Sequence, residues 1–249
     1  LFSVIWTTTP WTMPANQAIS VNPELDYSWV KIGDEAWLLA NGLIETATKE
    51  MGVESYEVLN TFKGSELELA NFKHPFADRN APILLGSHVT LEAGTGCVHT
   101  APAHGEDDFN VVKAYKDTGK IDFDILSLVD ATGRYIAKVD EPRYGDTEQP
   151  LAGVEIHDAE VPVIKILAHN GALVQKGNIR HQYAHCWRCK NPVIYRATEQ
   201  WFSSVDGYRQ EALKAIDEQV QWIPKWGHDR IYNMIADRGD WVISRQRAW

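Results

Sequence analysis

A mixed α+β fold, mainly β, in which a closed or strongly curved sheet carries peripheral helices, is what this sequence predicts. Three observations lead there. The first hundred residues alternate short runs of β-branched and aromatic residues with Pro, Asn and Gly punctuation. Helical periodicity is confined to a few separated stretches. Hydrophobic residues at 44% and charged residues at 23% are the balance of a folded globular chain, which excludes a disordered tail, a collagen-like fibre and a coiled coil.

In chain order, residues 1–9, 17–21, 27–32 and 36–40 read as strands, with turns at 12–16 and 22–24. Residues 42–51 read as a short helix. Strands resume at 56–61, 83–85 and 88–92, and Gly94-Thr95-Gly96 makes a tight turn into a strand over 97–100. Pro102 and His104-Gly105 break that strand. Glu106, Asp107 and Asp108 then stand where acids favour the positive end of a helix reaching about Tyr115. Residues 158–170 read as another helix, with Asp158 as its cap and Val161, Ile164, Leu167 and Ala168 on one face. Helices at 208–220 and 228–236 lead to the last ten residues.

The net charge of −10 looks wrong for a chain that holds nucleic acid, since phosphate contacts need Lys and Arg. The charge is unevenly spread, however. Residues 1–178 carry 13 Lys+Arg against 26 Asp+Glu, and residues 179–249 carry 11 against 8. Two structural units are therefore expected, an acidic one over 1–178 and a basic, aromatic one over 179–249. The second opens with Arg180, His181, Tyr183, His185, Trp187 and Arg188. No apolar run approaches the roughly 18 residues of a membrane span, and residues 1–6 lack the basic start of a signal peptide. Three cysteines, an odd number, point to a reducing compartment, and the expected location is the cytoplasm. The chain begins without Met and stops at Trp249, so a piece of a longer protein is expected.

Three strings hold groups that do chemistry. Trp6-Thr7-Thr8-Thr9-Pro10-Trp11-Thr12 packs four hydroxyls into six residues. On a strand Thr7 and Thr9 share one face and Thr8 takes the other, unless a kink before Pro10 gathers all three. The plainer alternative is a Thr-rich strand. Residues 94–109 bring imidazoles, hydroxyls and carboxylates to a strand-to-helix turn, but lack a phosphate-binding or zincin spacing. Cys97, between apolar neighbours, reads as a small core residue. Cys186-Trp-Arg-Cys189 is half of a zinc-ribbon site, which His181 or His185 would have to complete; a pair of free thiols is the alternative.

Together these strings resemble the bacterial isoleucyl-tRNA synthetases. The residues that carry the likeness are 6–19 (WTTTPWTMPANQAI), 94–109 (GTGCVHTAPAHGEDDF), 186–202 (CWRCKNPVIYRATEQWF) and 240–249 (DWVISRQRAW). Thr9 stands where the valyl and leucyl enzymes carry an arginine, and His99 where they tend to carry other residues. Signatures resembling HIGH and KMSKS, which bind ATP, appear nowhere. The resemblance therefore implies the inserted editing domain of the valyl, isoleucyl and leucyl enzymes, a curved β-barrel with peripheral helices, plus a short return segment toward the catalytic core. It implies hydrolysis of Val-tRNA(Ile), with valyl-adenylate as a further candidate, because a pocket cannot strongly reject a substrate one methylene too small.

Carried over residue by residue, the resemblance gives Thr7, Thr8, Thr9, His99 and Asp108 to the reaction, and Trp6, Asn16 and His104 to substrate binding. Asp108 would hold the α-ammonium and His99 would wall the side-chain pocket. No general base is assigned. Cys186 and Cys189 would join a second Cys pair upstream of Leu1, leaving here an unfilled half site. No cofactor is expected in these residues; ATP, and zinc in some family members, belong to the longer enzyme. The implied partners are the acceptor end of tRNA(Ile) and the rest of the synthetase chain, with a monomer expected and no membrane. The competing reading is a zinc-ribbon-like module that grips tRNA without chemistry.

Overall fold

The computed structural model describes residues 1–141, 150–178 and 182–244. Arg180, His181 and the last five residues of the 240–249 string lie outside the described residues. Two compact units follow one another along the chain, Leu1–Ala197 and Thr198–Trp249. Composition shifts near residue 178, but contacts divide at 197. The segment between belongs with the first unit: Arg196 Nε donates to Val129 O (2.8 Å) and the Ala197 amide to Ala103 O (2.7 Å).

In the first unit the strands are β1 (Phe2–Ser3), β2 (Ala18–Val21), β3 (Asp26–Ile32), β4 (Glu35–Ala40), β5 (Glu57–Lys63), β6 (Asn71–Lys73), β7 (Asn80–Leu85) and β8 (Val98–Thr100). They form two four-stranded sheets, ordered β1-β4-β3-β5 and β6-β7-β2-β8. The sheets meet where the chain continuing from β1 reaches Trp6, which bridges Val98 in parallel and donates its amide to Cys97 O (3.3 Å). At the far ends, β5 runs into β6 through the 3-10 turn Gly64–Leu67. The result is a mixed, mainly β fold of two sheets; no ladder between β5 and β6 closes them into a barrel among the described residues.

Burial joins the two sheets. Ile19, Val21, Tyr27, Leu38, Ala40, Ile83 and Cys97 form one cluster with members from both. Tyr27 is fully buried, and its hydroxyl donates to Gly96 O (2.8 Å) while accepting from the Asn22 amide (3.0 Å). Cys97 is a core residue, as expected, with its thiol pushed up to about 12 by burial. Helix α1 (Ile44–Glu50) packs Ile44 against Val30 and Leu39, and α2 (Glu106–Asp117) packs Val112 and Tyr115 against Ala18 and Leu84.

Several elements differ from the sequence reading. Only Phe2–Ser3 of residues 1–9 forms a ladder, because Pro10 has no amide hydrogen and opens a 3-10 turn over Pro10–Ala15. No strand forms at 88–92: the Val89 amide donates to Gly86 O (3.3 Å) in a turn, and Val89 O accepts from Asn22 Nδ2 (2.9 Å). Helix α3 (Glu160–His169) follows a 3-10 turn, Ile156–Asp158, and its cap is Ala159 rather than Asp158. Its buried stripe is Ile156, Ala159, Val163 and Ile166; Val161 is 60% exposed. The preceding turn sets that phase, so the face expected from 161 onward is rotated.

The second unit pairs β9 (Phe202–Ser203) with β10 (Trp241–Val242) and holds α4 (Arg209–Glu218) and α5 (Trp226–Ala236). Its His228 donates to Asp217 and Asp229 (both 2.8 Å), and those hydrogen bonds raise its pKa. Among the described residues no helix is long and apolar enough to cross a membrane.

Candidate functional site

The turn over Pro10–Ala15 contains Pro10 and Pro14, neither of which has an amide hydrogen to donate. Several of its carbonyls accept from side chains, some of them far away in the chain. Thr12 Oγ1 donates to Thr9 O (2.8 Å), and the Tyr135 hydroxyl donates to Trp11 O. His74 Nε2 donates to Met13 O (3.0 Å) while its Nδ1 accepts from the amides of Phe76 (3.3 Å) and Ala77 (3.0 Å). Arg79 donates to Pro14 O through Nη2 (2.6 Å) and to Asn16 O through Nε (2.8 Å). Side chains from two distant segments, the turn 74–79 and Tyr135, thus fix the backbone that follows the threonines.

His99, on β8 opposite Ile19, joins this frame. Asn16 Nδ2 donates to Ala18 O (2.9 Å) and to His99 Nδ1 (2.8 Å). His99 Nε2 lies 2.8 Å from Thr12 Oγ1, whose own hydrogen goes to Thr9 O. Every group is satisfied when His99 carries its hydrogen on Nε2 and donates to Thr12. Burial, then the neighbouring His104 and Arg79, bring the His99 pKa down to about 3, so the ring is neutral. Burial likewise brings His74 to about 3. Both His99 nitrogens are occupied. The imidazole can act as wall and strut, and it has no nitrogen free to take a proton from water. Asn16, expected at the substrate, is 3% exposed and spends its amide hydrogens inside the protein.

The threonine string sits above this frame. The hydroxyls of Thr7 and Thr9 lie 3.4 Å apart, and the Thr9 amide donates to Thr7 Oγ1 (3.1 Å). The alternation expected of a strand is kept: Thr7 and Thr9 are half-buried and Thr8 is exposed. Trp6 is 39% exposed, its base packed on Gly94. A Cβ at Gly94 would come within 3.0 Å of the Trp6 side chain, and the backbone there is left-handed (φ +82°), so both space and conformation call for glycine.

Beyond β8 the chain folds back on α2. Asp108, in the first turn of α2, accepts from the Ala101 amide through Oδ2 (2.8 Å). Its Oδ1 accepts no hydrogen bond among the described residues. Burial raises its pKa, against the opposing pull of the Ala101 amide and of His88. A half-buried carboxylate with one oxygen unspent is a site for a small cation or an ammonium. His104 packs edge-on against Trp11 (4.9 Å between ring centres), which ties this loop to the Pro10–Ala15 turn. Its Nδ1 donates to Tyr195 O (3.0 Å), and its Nε2 is buried without a partner. The sequence reading missed Thr12, His74, Arg79 and Tyr135, although Thr12 stands in the same string as the threonines it steadies.

Cys186 and Cys189 lie in a closed turn: the Cys186 amide donates to Asn191 O (2.8 Å) and the Lys190 amide to Cys186 O (2.9 Å). Lys190 takes the left-handed conformation this needs (φ 62°). The Cys189 and Arg188 amides and the Cys189 thiol hydrogen bond to the Cys186 sulfur and lower its pKa. Such a turn suits two ligands of a tetrahedral ion. Among the described residues, however, no group of three or more His, Cys, Asp or Glu is placed to hold one. His185 spends Nδ1 on Tyr183 O (2.9 Å), and His181 lies outside the described residues.

Comparison with known proteins bears on the family and the fold. The chain is 51% identical over 248 residues to an isoleucine–tRNA ligase of Syntrophomonas wolfei, and 54% identical over 247 residues to one of Brevibacillus brevis. These matches cover 100% and 99% of the chain, which spans about a quarter (25%) of the length of either relative. Among solved structures, the crystal structure of GlLeuRS-CP1 matches with a TM-score of 0.55 at 18% identity, over 72% of this chain and 84% of that one. The Plasmodium knowlesi cytosolic leucyl-tRNA synthetase editing domain matches with a TM-score of 0.50 at 13% identity, over 68% and 82%. At these identities the two structures establish the fold: that of a leucyl-tRNA synthetase connective-peptide or editing domain. A family model described as tRNA synthetases class I (I, L, M and V) matches residues 8–249, and the chain belongs to that family.

Proposed function

We propose that this chain is the editing part of an isoleucine–tRNA ligase and hydrolyses tRNA(Ile) mischarged with valine. The observation that carries the reading is the unspent oxygen of Asp108, one loop away from hydroxyls whose backbone is fixed. The ester carries an α-ammonium, and Asp108 Oδ1 is the acceptor for it. Thr7, Thr8 and Thr9 hold the terminal ribose and a water against the ester carbonyl. Water adds to that carbon, the ribose oxygen leaves and takes up a proton, and valine and tRNA(Ile) are released. An aminoacyl ester is already activated, so orientation supplies much of the rate. His99 serves as the wall that leaves no room for one more methylene, Asn16 and Thr12 fix its ring, and Trp6 flanks the entrance.

The partners in this reading are the tRNA(Ile) acceptor end and the rest of the synthetase chain, in the cytoplasm. Valyl-adenylate, with the same ammonium and side chain, is a second substrate for the same site. ATP belongs to the catalytic part of the longer enzyme. Cys186 and Cys189 would supply two ligands to a zinc ion whose other two come from that part.

The test is deacylation of Val-tRNA(Ile) by the wild-type chain and by Asp108→Asn. Asparagine keeps an acceptor for the Ala101 amide and removes the charge. Loss of a charge-assisted contact costs about 1.5–3 kcal/mol, or roughly tenfold to a hundredfold in rate. An unchanged rate in Asp108→Asn removes Asp108 from the reading, and no deacylation by the wild type overturns it.

A further inference from the structure

Residues 194–197, the last of the first unit, cross the loop that carries the candidate site. Ile194 packs over Gly133, where a Cβ would come within 2.7 Å of its Cδ1. Tyr195 O accepts from His104 Nδ1 (3.0 Å), Arg196 Nε donates to Val129 O (2.8 Å), and the Ala197 amide donates to Ala103 O (2.7 Å). The same loop is closed on its other side: the His104 amide donates to Ala101 O (2.9 Å), and the Ala101 amide donates to Asp108 Oδ2 (2.8 Å). An unbroken path therefore runs from Tyr195 through His104 and Ala101 to the Asp108 carboxylate.

We propose that residues 194–197 are a strap that sets the position of Asp108, with His104 as the positioning residue that fastens it. His104 then acts through Nδ1 and its ring, without touching the substrate. Its buried Nε2 agrees with this, since that atom has no surface to offer a ligand. The proposal builds on the reading of Asp108 as the ammonium site.

Two isosteric substitutions separate the alternatives. Asparagine places an amide near where histidine carries Nδ1, and glutamine near where it carries Nε2. A strap predicts that His104→Asn keeps Val-tRNA(Ile) deacylation near wild type. His104→Gln, and His104→Phe, which keeps the ring against Trp11, should raise KM about tenfold, as expected when one hydrogen bond to a fixed group is lost. A substrate contact through Nε2 predicts the opposite order for Asn and Gln, and that order overturns the proposal. Amide hydrogen exchange gives a readout that needs no activity. Exchange at Ala101 and Ala197 should quicken about tenfold in His104→Phe and stay slow in His104→Asn, with melting temperatures as control. Unchanged exchange in His104→Phe overturns the strap even if the wild type deacylates well. If the wild type does not deacylate, the reading of the site fails, and the exchange pattern still decides the strap.

Discussion

Replacing Thr12 by valine removes one hydroxyl and little volume; that hydroxyl accepts from His99 Nε2 and is a second donor to Thr9 O, beside the Thr12 amide (3.0 Å). Thr12 is 4% exposed and His99 is 6% exposed. Without it the His99 Nε2 hydrogen loses its acceptor and Thr9 O loses the side-chain hydroxyl that donates to it. Leaving the His99 Nε2 hydrogen unpaired costs about 1–3 kcal/mol, losing the second donor to Thr9 O costs about 1 kcal/mol, and the extra buried methyl returns somewhat under 1 kcal/mol. The expected net loss is about 2 kcal/mol, or roughly 4–8 °C in Tm for a chain of this size. Thr12→Ser keeps the hydroxyl and gives up one methyl, at about 1 kcal/mol. Urea unfolding at pH 7.5, followed by circular dichroism, measures both. If valine and serine come within about 0.5 kcal/mol of each other, the hydroxyl does not hold His99 and Thr9, and the relay from Asn16 to Thr9 is wrong.

Acid should destabilise the fold from pH 6.5 downward. His74 and His99 are near 3 when folded and near 6.5 when unfolded, so below 6.5 the unfolded chain takes up protons that the native one refuses. That stability is fully present above about 6.5 and falls away as pH drops toward 3. By pH 5 the loss is about 2 kcal/mol for each histidine, and a urea midpoint that stays flat from pH 7 to 4.5 contradicts it. His99→Ala should shorten the wall and let the chain hydrolyse correctly charged Ile-tRNA(Ile); sparing it in a variant that still melts near wild type would mean that another residue is the sieve. Cys186 should alkylate first among the three cysteines at pH 7, followed by Cys189, while Cys97 reacts only on unfolding; early labelling of Cys97 would contradict its burial. Elemental analysis of the purified chain should find well under one zinc per molecule, and a full equivalent would mean that the Cys186–Cys189 turn finds further ligands within these residues.

What the sequence shows of the fold depends on local composition and punctuation. The strands β2, β3 and β4 are legible because each is a short apolar or aromatic run bounded by turn residues, although β2 is buried at every position rather than alternately. Turn 86–89 is not, because the Val89 carbonyl takes its hydrogen bond from Asn22, a residue more than sixty positions away. The stripe of α3 was rotated by a 3-10 turn that leaves no mark in composition. At the site, the side-by-side placement of Thr7 and Thr9 follows from strand geometry alone. The roles of Asn16 and His104 as internal struts do not, since an amide or imidazole reads the same in sequence whether it faces substrate or backbone. His74, Arg79 and Tyr135 were invisible for the same reason: their partners are carbonyl oxygens, and every residue has one.

The Pro10–Ala15 turn has a further consequence, for the order of assembly. Its two prolines donate no amide hydrogen, and further donors to its carbonyls come from residues 74, 79 and 135, the last of which is 124 positions from the carbonyl it serves. Closing loops of that length costs entropy before any contact repays it. The hairpin of β3 and β4 needs only the turn at Gly33 and Asp34, and can form while the rest of the chain is still open. The threonines, by contrast, acquire a fixed backbone only after Tyr135 has docked. During synthesis the hydroxyls at the very start of this sequence would be among the last groups to reach their working positions.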